Sequence, residues 1–157
     1  MNIVITGSSS GIGRALTERL LAAGHRVWGL ARSQQDSLSA KYPETFTGLG
    51  CDVARWSDVA RVAAQVEKAT AHVDAVITCA GLQGEIGRTL EADAQRWSET
   101  VRANLDGTFN VVRAFAPLLA RTPRRAKIVC FSGGGATKPR ARFSAYGVAK
   151  TAVVRLV

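Results

Sequence analysis

Short runs of apolar, mostly β-branched residues alternate along this chain with stretches whose apolar positions recur every three or four residues. The first pattern predicts buried strands, the second helices packed on one face. Asn2–Thr6 (NIVIT) reads as a strand. Gly11–Ala23 reads as a helix, with Ile12, Ala15, Leu16 and Leu20 on one face and Gly24 as its stop. Arg26–Ala31 is a second strand. Asp36–Tyr42 is a short helix halted before Pro43, with Asp36 as its N-cap. Thr45–Cys51 is a third strand. Ser57–Thr70 is a helix carrying Val59, Val62, Ala63 and Val66 at helical spacing. Ala75–Thr78 is a fourth strand, followed by two helices, Leu90–Ala103 and Leu105–Ala120. Lys127–Phe131 is a fifth strand, and the pattern turns helical again from Phe143.

Strands that alternate with helices predict βαβ units, hence a doubly wound, Rossmann-like parallel sheet with helices on both faces. The polar segments are loop-sized, so residues 1–157 read as one domain. The composition, 46% apolar and 21% charged, is that of a globular protein. A net charge of +9 raises the prospect of an anionic partner. The arginines are scattered, and the only dense patch is Arg121–Lys127 (RTPRRAK), so a basic solvated surface is the simpler reading and no nucleic-acid partner is expected. The three cysteines have no metal-ligand spacing and no CxxC pairing, which suggests reduced thiols in a cytoplasmic protein. The N-terminus lacks the pattern of a signal peptide, and no apolar run nears the ~20 residues of a membrane span.

TGSSSGIG joins the first strand to the first helix. Such a turn needs Gly7, Gly11 and Gly13 for a tight reversal, for close approach of an anion to the backbone, and for packing of helix on strand. The helix N-terminus then offers free N–H groups and partial positive charge to a pyrophosphate, and the hydroxyls of Ser8, Ser9 and Ser10 can add hydrogen bonds. Arg14 stands where a phosphate loop of the Walker kind would need lysine. After the second strand, a dinucleotide site that prefers NAD places an acid for the ribose hydroxyl. Here Ala31 is followed by Arg32, which can hold a 2′-phosphate bidentately and favours NADP over NAD; a plain surface arginine is the alternative.

Tyr146 and Lys150 are four residues apart and share a helical face. A free tyrosine titrates near ~10, too high for proton transfer at neutral pH, and a neighbouring ammonium stabilises the phenolate. The phenol can then exchange a proton with an alcohol or carbonyl oxygen. The spacing alone equally suits a surface pair. Ser132 follows the fifth strand at its C-terminal end, where open α/β sheets bind ligands.

Taken together, TGSSSGIG, CDV after the third strand, CAG after the fourth, NLDG, IVCFS and YGVAK resemble the short-chain dehydrogenases/reductases, in the family's order and across essentially the whole chain. The glycine spacing is similar to that of the shorter, mostly oxidoreductase branch. The resemblance implies hydride transfer between a nicotinamide cofactor, NADP on the reading of Arg32, and a small alcohol or ketone. It implies Tyr146 as acid/base and Lys150 as the group that tunes it and bonds the nicotinamide ribose. Ser132 would orient the substrate carbonyl, and Asn104 would hold a water in a proton relay. Gly7, Ser9, Ser10, Gly11, Ile12, Gly13 and Arg32 would hold the cofactor's phosphates and ribose. Asp52 and Val53 would touch the adenine, and Cys79, Ala80 and Gly81 would line the cofactor. A homo-oligomer built on the last two long helices is also implied.

Three features depart from the family pattern. Thr78-Cys79-Ala80-Gly81 stands where Asn-Asn-Ala-Gly is common. The family's serine commonly sits thirteen residues before the tyrosine, a position held here by Gly133, with Ser132 one residue further away and Ser144 as the alternative hydroxyl. The family fold also continues beyond the tyrosine helix by two strands, roughly 60–90 residues. The expectation is therefore a fragment of a longer protein, with KIVCF as an exposed sheet edge. Lys138, Arg140 and Arg142, in the loop before Tyr146, read as solvated in preference to contacts for an acidic substrate. A non-catalytic dinucleotide-binding domain is the alternative function.

Overall fold

The structure, a computed structural model, describes residues 1–157. Five parallel strands, β1 (Asn2–Thr6), β2 (Arg26–Ala31), β3 (Phe46–Gly50), β4 (Ala75–Thr78) and β5 (Lys127–Cys130), form one sheet in the order β3-β2-β1-β4-β5. The helices are α1 (Gly11–Ala22), α2 (Asp36–Lys41), α3 (Trp56–Ala69), α4 (Ala94–Val101), α5 (Gly107–Ala120) and α6 (Ser144–Leu156). No helix is long and apolar enough to cross a membrane.

Alternation along β1 shows why the sheet is covered twice. Val4 points into a cluster with Trp28 of β2, Val59 and Val62 of α3, and Val111 and Phe115 of α5. Ile3 and Ile5 point the other way, into a cluster with Leu21, Val27 and Leu38 from α1, β2 and α2. Both faces of a central strand are thus dry, as the unbroken apolar run requires. At the edges the rule relaxes. β5 is an edge strand, and Ile128 and Val129 are 46% and 45% exposed.

The order of the strands reverses between β1 and β4, and the register there sets up the site. Thr6 pairs with Thr78, and Thr78 with Cys130. The three strands end level, so Gly7, Cys79 and Phe131 leave the sheet side by side. A crevice outside the carboxyl ends of the strands at such a reversal is where open sheets bind ligands.

Two local expectations need correction. Asp36 is the first residue of α2 and not its cap; Gln35 occupies the cap position and is buried. The helices predicted as Leu90–Ala103 and Leu105–Ala120 are organised differently. A single 3-10 turn, Thr89–Glu91, comes first, and α4 starts after Asp93, whose carboxylate accepts from the Arg96 N–H at 2.8 Å. No glycine or proline separates α4 from α5. They run together through a π-helical segment, Arg102–Asp106, that contains Asn104. Extra-residue turns of this kind are frequent at functional sites.

Candidate active site

Two adjoining cavities open above the carboxyl edge. The first is built from backbone. Gly7 (φ +73°) and Gly11 (φ +53°) adopt the left-handed conformation that side chains resist. A Cβ on Gly7 would come within 2.9 Å of the Ala80 nitrogen, and one on Gly13 would overlap the Gly7 carbonyl. A Cβ on Gly11, by contrast, would meet nothing within 4 Å. Gly13 therefore serves packing of α1 on β1, while Gly11 leaves the space above the turn open. Gly7, Ser9 and Ser10 line this cavity beside Arg32, Asp52 and Val53, and Ala80 and Gly81 close it from β4. Ser8 does not join them. It is fully buried, and its hydroxyl donates to Gln35 Oε1 at 2.5 Å, while Gln35 Nε2 donates to the Gly29 carbonyl at 2.9 Å. Gln35 thereby ties the glycine turn to the segment that carries Arg32. It was missed in the sequence because an isolated Gln in a polar run gives no periodic signal.

The Asp52 carboxylate is engaged locally, accepting from Ala54 N–H at 3.1 Å. Arg32 is exposed and takes part in none of the five salt bridges, which leaves its guanidinium available at the mouth.

The second cavity is built from side chains. Ile12, Cys79, Gly81, Asn104, Ser132, Tyr146 and Lys150 all line it, so it collects every predicted catalytic residue. Lys150 is only 5% exposed and donates to the Phe131 carbonyl at 2.9 Å. Burial pushes its ammonium below the usual lysine range, with the Cys79 and Cys130 sulfurs acting in the opposite direction. Burial also raises the Cys79 thiol to about 11, against the pull of Lys150, so it stays protonated at neutral pH.

Asn104 is fully buried. Its amide nitrogen donates to the carbonyls of Leu82 (2.7 Å) and Thr100 (2.8 Å), which fixes the orientation of the amide. Its oxygen has no partner. That oxygen lies 2.5 Å from where a Gly81 Cβ would stand, and Lys150 Nζ lies 3.5 Å from the same point. A buried, unpartnered acceptor beside an ammonium is costly unless a further polar group completes it. The residues thus fit a water or a ligand hydroxyl at this place.

The serine hydroxyl has a partner within the chain. Ser132 lines the cavity, but its hydroxyl donates to the Lys150 carbonyl at 2.9 Å. The residue that faces the Tyr146 hydroxyl is Gly133, where a Cβ would overlap the phenol oxygen. Ser144 is the first residue of α6; it accepts from Trp97 Nε1 at 3.1 Å and so joins α4 to α6. The glycine run after β5 is close-packed on the helix, since a Cβ on Gly135 would stand 3.0 Å from the Gly147 Cα. Of the three basic loop residues read as solvated, Arg140 lines the cavity, whereas Lys138 and Arg142 do not.

A parallel sheet with a glycine turn at its reversal, and a tyrosine–lysine helix beside it, defines a Rossmann-like α/β protein. Comparison with known proteins agrees. The family model for short chain dehydrogenases matches residues 1–157, and the chain belongs to that family. It is 31% identical to the short chain dehydrogenase tazN of Aspergillus terreus, over 99% of this chain and 36% of that one. It is also 31% identical to 2,3-dihydro-2,3-dihydroxybenzoate dehydrogenase of Escherichia coli, over 99% of this chain and 60% of that one. A short-chain dehydrogenase from Streptomyces avermitilis superposes with a TM-score of 0.91 at 30% identity, covering 99% of this chain and 58% of the other. The chain thus spans about a third to three fifths of the length of these relatives. The family binds nicotinamide dinucleotides.

Proposed function

We propose that this protein is an NADP-dependent oxidoreductase that interconverts an alcohol and a carbonyl, with Tyr146 as the proton donor and acceptor. The observation that carries the reading is the meeting of Tyr146, Lys150 and the unpartnered Asn104 oxygen in one cavity that adjoins the glycine cleft. Gly7, Ser9 and Ser10 would hold the phosphates at the start of α1, and Arg32 would take the 2′-phosphate. A nicotinamide bound across the two cavities would supply or accept hydride. Tyr146 exchanges the proton at the substrate oxygen. Lys150, held by the Phe131 carbonyl, places positive charge near the phenol, its Nζ 5.8 Å from the ring centroid. The Asn104 oxygen positions a water or hydroxyl beside Lys150, from which the proton can be replaced. Oxidation of NADPH with a panel of ketones and aldehydes tests the reading. Turnover that prefers NADPH to NADH, with the preference lost in Arg32→Ala, supports it. Binding of NADPH without turnover of any carbonyl contradicts it.

A second reading, a dinucleotide-binding module without catalysis, has one observation in its favour. Gly133 packs against the Tyr146 hydroxyl, and the Ser132 hydroxyl donates to the α6 backbone at the Lys150 carbonyl. A homo-oligomer through α5 and α6 is also proposed, since Phe109, Val148 and Val154 present apolar surface there. Light scattering on the purified chain tests it.

A further inference from the structure

We propose that Arg140 is a specificity-determining residue that makes the second cavity a site for carbonyl compounds bearing a carboxylate. This rests on the proposed oxidoreductase reading and names its substrate class. The cavity is lined by two cations, Arg140 and Lys150, and by no acidic side chain. Lys150 is buried and engaged with the Phe131 carbonyl. Arg140 is engaged with no carboxylate, since none of the chain's five salt bridges includes it. Its guanidinium is nevertheless held in place. It stacks on the Phe143 ring at 3.6 Å from the centroid and stands 5.9 Å from the Tyr146 centroid.

The backbone around it is fixed as well. The Phe143 N–H donates to the Arg140 carbonyl at 3.3 Å, and the Gly147 N–H to the Phe143 carbonyl at 2.8 Å. Arg142 is the only non-glycine residue with positive φ (+66°), and its carbonyl accepts from the Gly87 N–H at 3.0 Å. That bond anchors the loop to the segment after β4. Arg140 is exposed at the cavity mouth, so solvent and ligand both reach its guanidinium. A guanidinium stacked on an aromatic ring keeps its donor edge free for a planar anion, which it binds bidentately. A substrate whose carbonyl oxygen meets Tyr146 would thus place an acidic group, a short carbon skeleton away, at Arg140. Lys138, two residues earlier, lies outside the cavity and serves as a matched control for loss of charge.

The test compares 4-carboxybenzaldehyde with its methyl ester in NADPH-dependent reduction by the purified full chain, Arg140→Gln and Lys138→Gln. Benzoate binding to the same three proteins in the presence of NADP is measured by calorimetry. The acid is expected to be preferred by about 10–100-fold in kcat/KM, the value of a charge-assisted bidentate contact. The preference should collapse in Arg140→Gln and survive in Lys138→Gln, with saturable benzoate binding following the same order. Equal use of acid and ester by the native chain overturns the proposal, as does benzoate binding that is absent or indifferent to Arg140. If neither aldehyde turns over but benzoate binds through Arg140, the oxidoreductase reading fails and the anion site stands.

Discussion

The two cavities adjoin, yet they are made of different materials. The cleft over β1 is opened on one side by a glycine turn, where Gly7 and Gly11 leave room that side chains would fill, and lined on the other by Arg32, Asp52 and Val53. The cavity over β5 depends on groups carried by three separate elements, Asn104 in the π-helical segment, Ser132 after β5, and Tyr146 with Lys150 on α6. A main-chain cradle is rigid and indifferent to what is bound beyond the phosphates. A side-chain cavity can be altered one residue at a time. Binding and chemistry should therefore separate under mutation.

The largest loss of turnover without loss of fold is expected at Lys150. Its charge is buried at a cost, so Lys150→Met should leave thermal stability unchanged or raised. The sign follows from the lowered pKa: the folded chain carries the proton less readily than the unfolded one, so removing the group removes a penalty at neutral pH. Turnover should fall by about 10²–10³-fold. A variant that melts earlier and loses NADPH together would show that the two cavities are not separable.

A pair of glycine substitutions sharpens the contrast. Gly13→Ala drives a Cβ into the Gly7 carbonyl, so it should cost about 1–3 kcal/mol and weaken NADPH binding. Gly133→Ala drives a Cβ into the Tyr146 hydroxyl, which can swing aside. NADPH should bind as before, while kcat falls by about 10²-fold from misplacement of the phenol. Denaturant melts and NADPH fluorescence titrations of the two variants decide whether the effects divide in this way.

Gln35→Leu is expected to act more mildly. It leaves the Ser8 hydroxyl and the Gly29 carbonyl without their partner, a loss of about 1–3 kcal/mol. Because Gln35 also holds the Arg32 segment, KM for NADPH should rise more than kcat falls. The smallest effect lies at the far end of the sheet. Asp74 is desolvated, which by itself raises its pKa, but hydrogen bonds from Thr122 and the Asn2 N–H, with His72 and Arg124 nearby, lower it below the ordinary 3.8. Its contribution to stability is then fully present above that ordinary value and is lost as pH falls through the lower folded one. Acid melts of Thr122→Val should show a shallower loss over that range, with cofactor binding at neutral pH unaltered.

The same division explains how much could be read from the sequence. The cleft was legible because its requirements are local: NIVIT, TGSSSGIG and an apolar helical face lie within some twenty residues. The collection of Asn104, Tyr146 and Lys150 was legible only through a family resemblance, since no spacing along the chain reveals that α4, β5 and α6 converge. The orientation of hydroxyls was not legible at all. Ser8 turned inward to Gln35, and Ser132 turned to the Lys150 carbonyl, because each found a buried acceptor that pattern alone does not locate. The π-helical segment escaped for a related reason. It has no breaker residue, and it buries Asn104, a polar residue that apolar periodicity does not mark.

Tyr146→Phe decides whether Tyr146 performs the proton transfer in a cavity separable from the cofactor cleft. NADPH affinity by fluorescence titration and single-turnover reduction of an aldehyde are measured on the same preparation. Native affinity with turnover reduced by about 10²–10⁴-fold is expected. Turnover that persists within a few-fold of the native rate would contradict it.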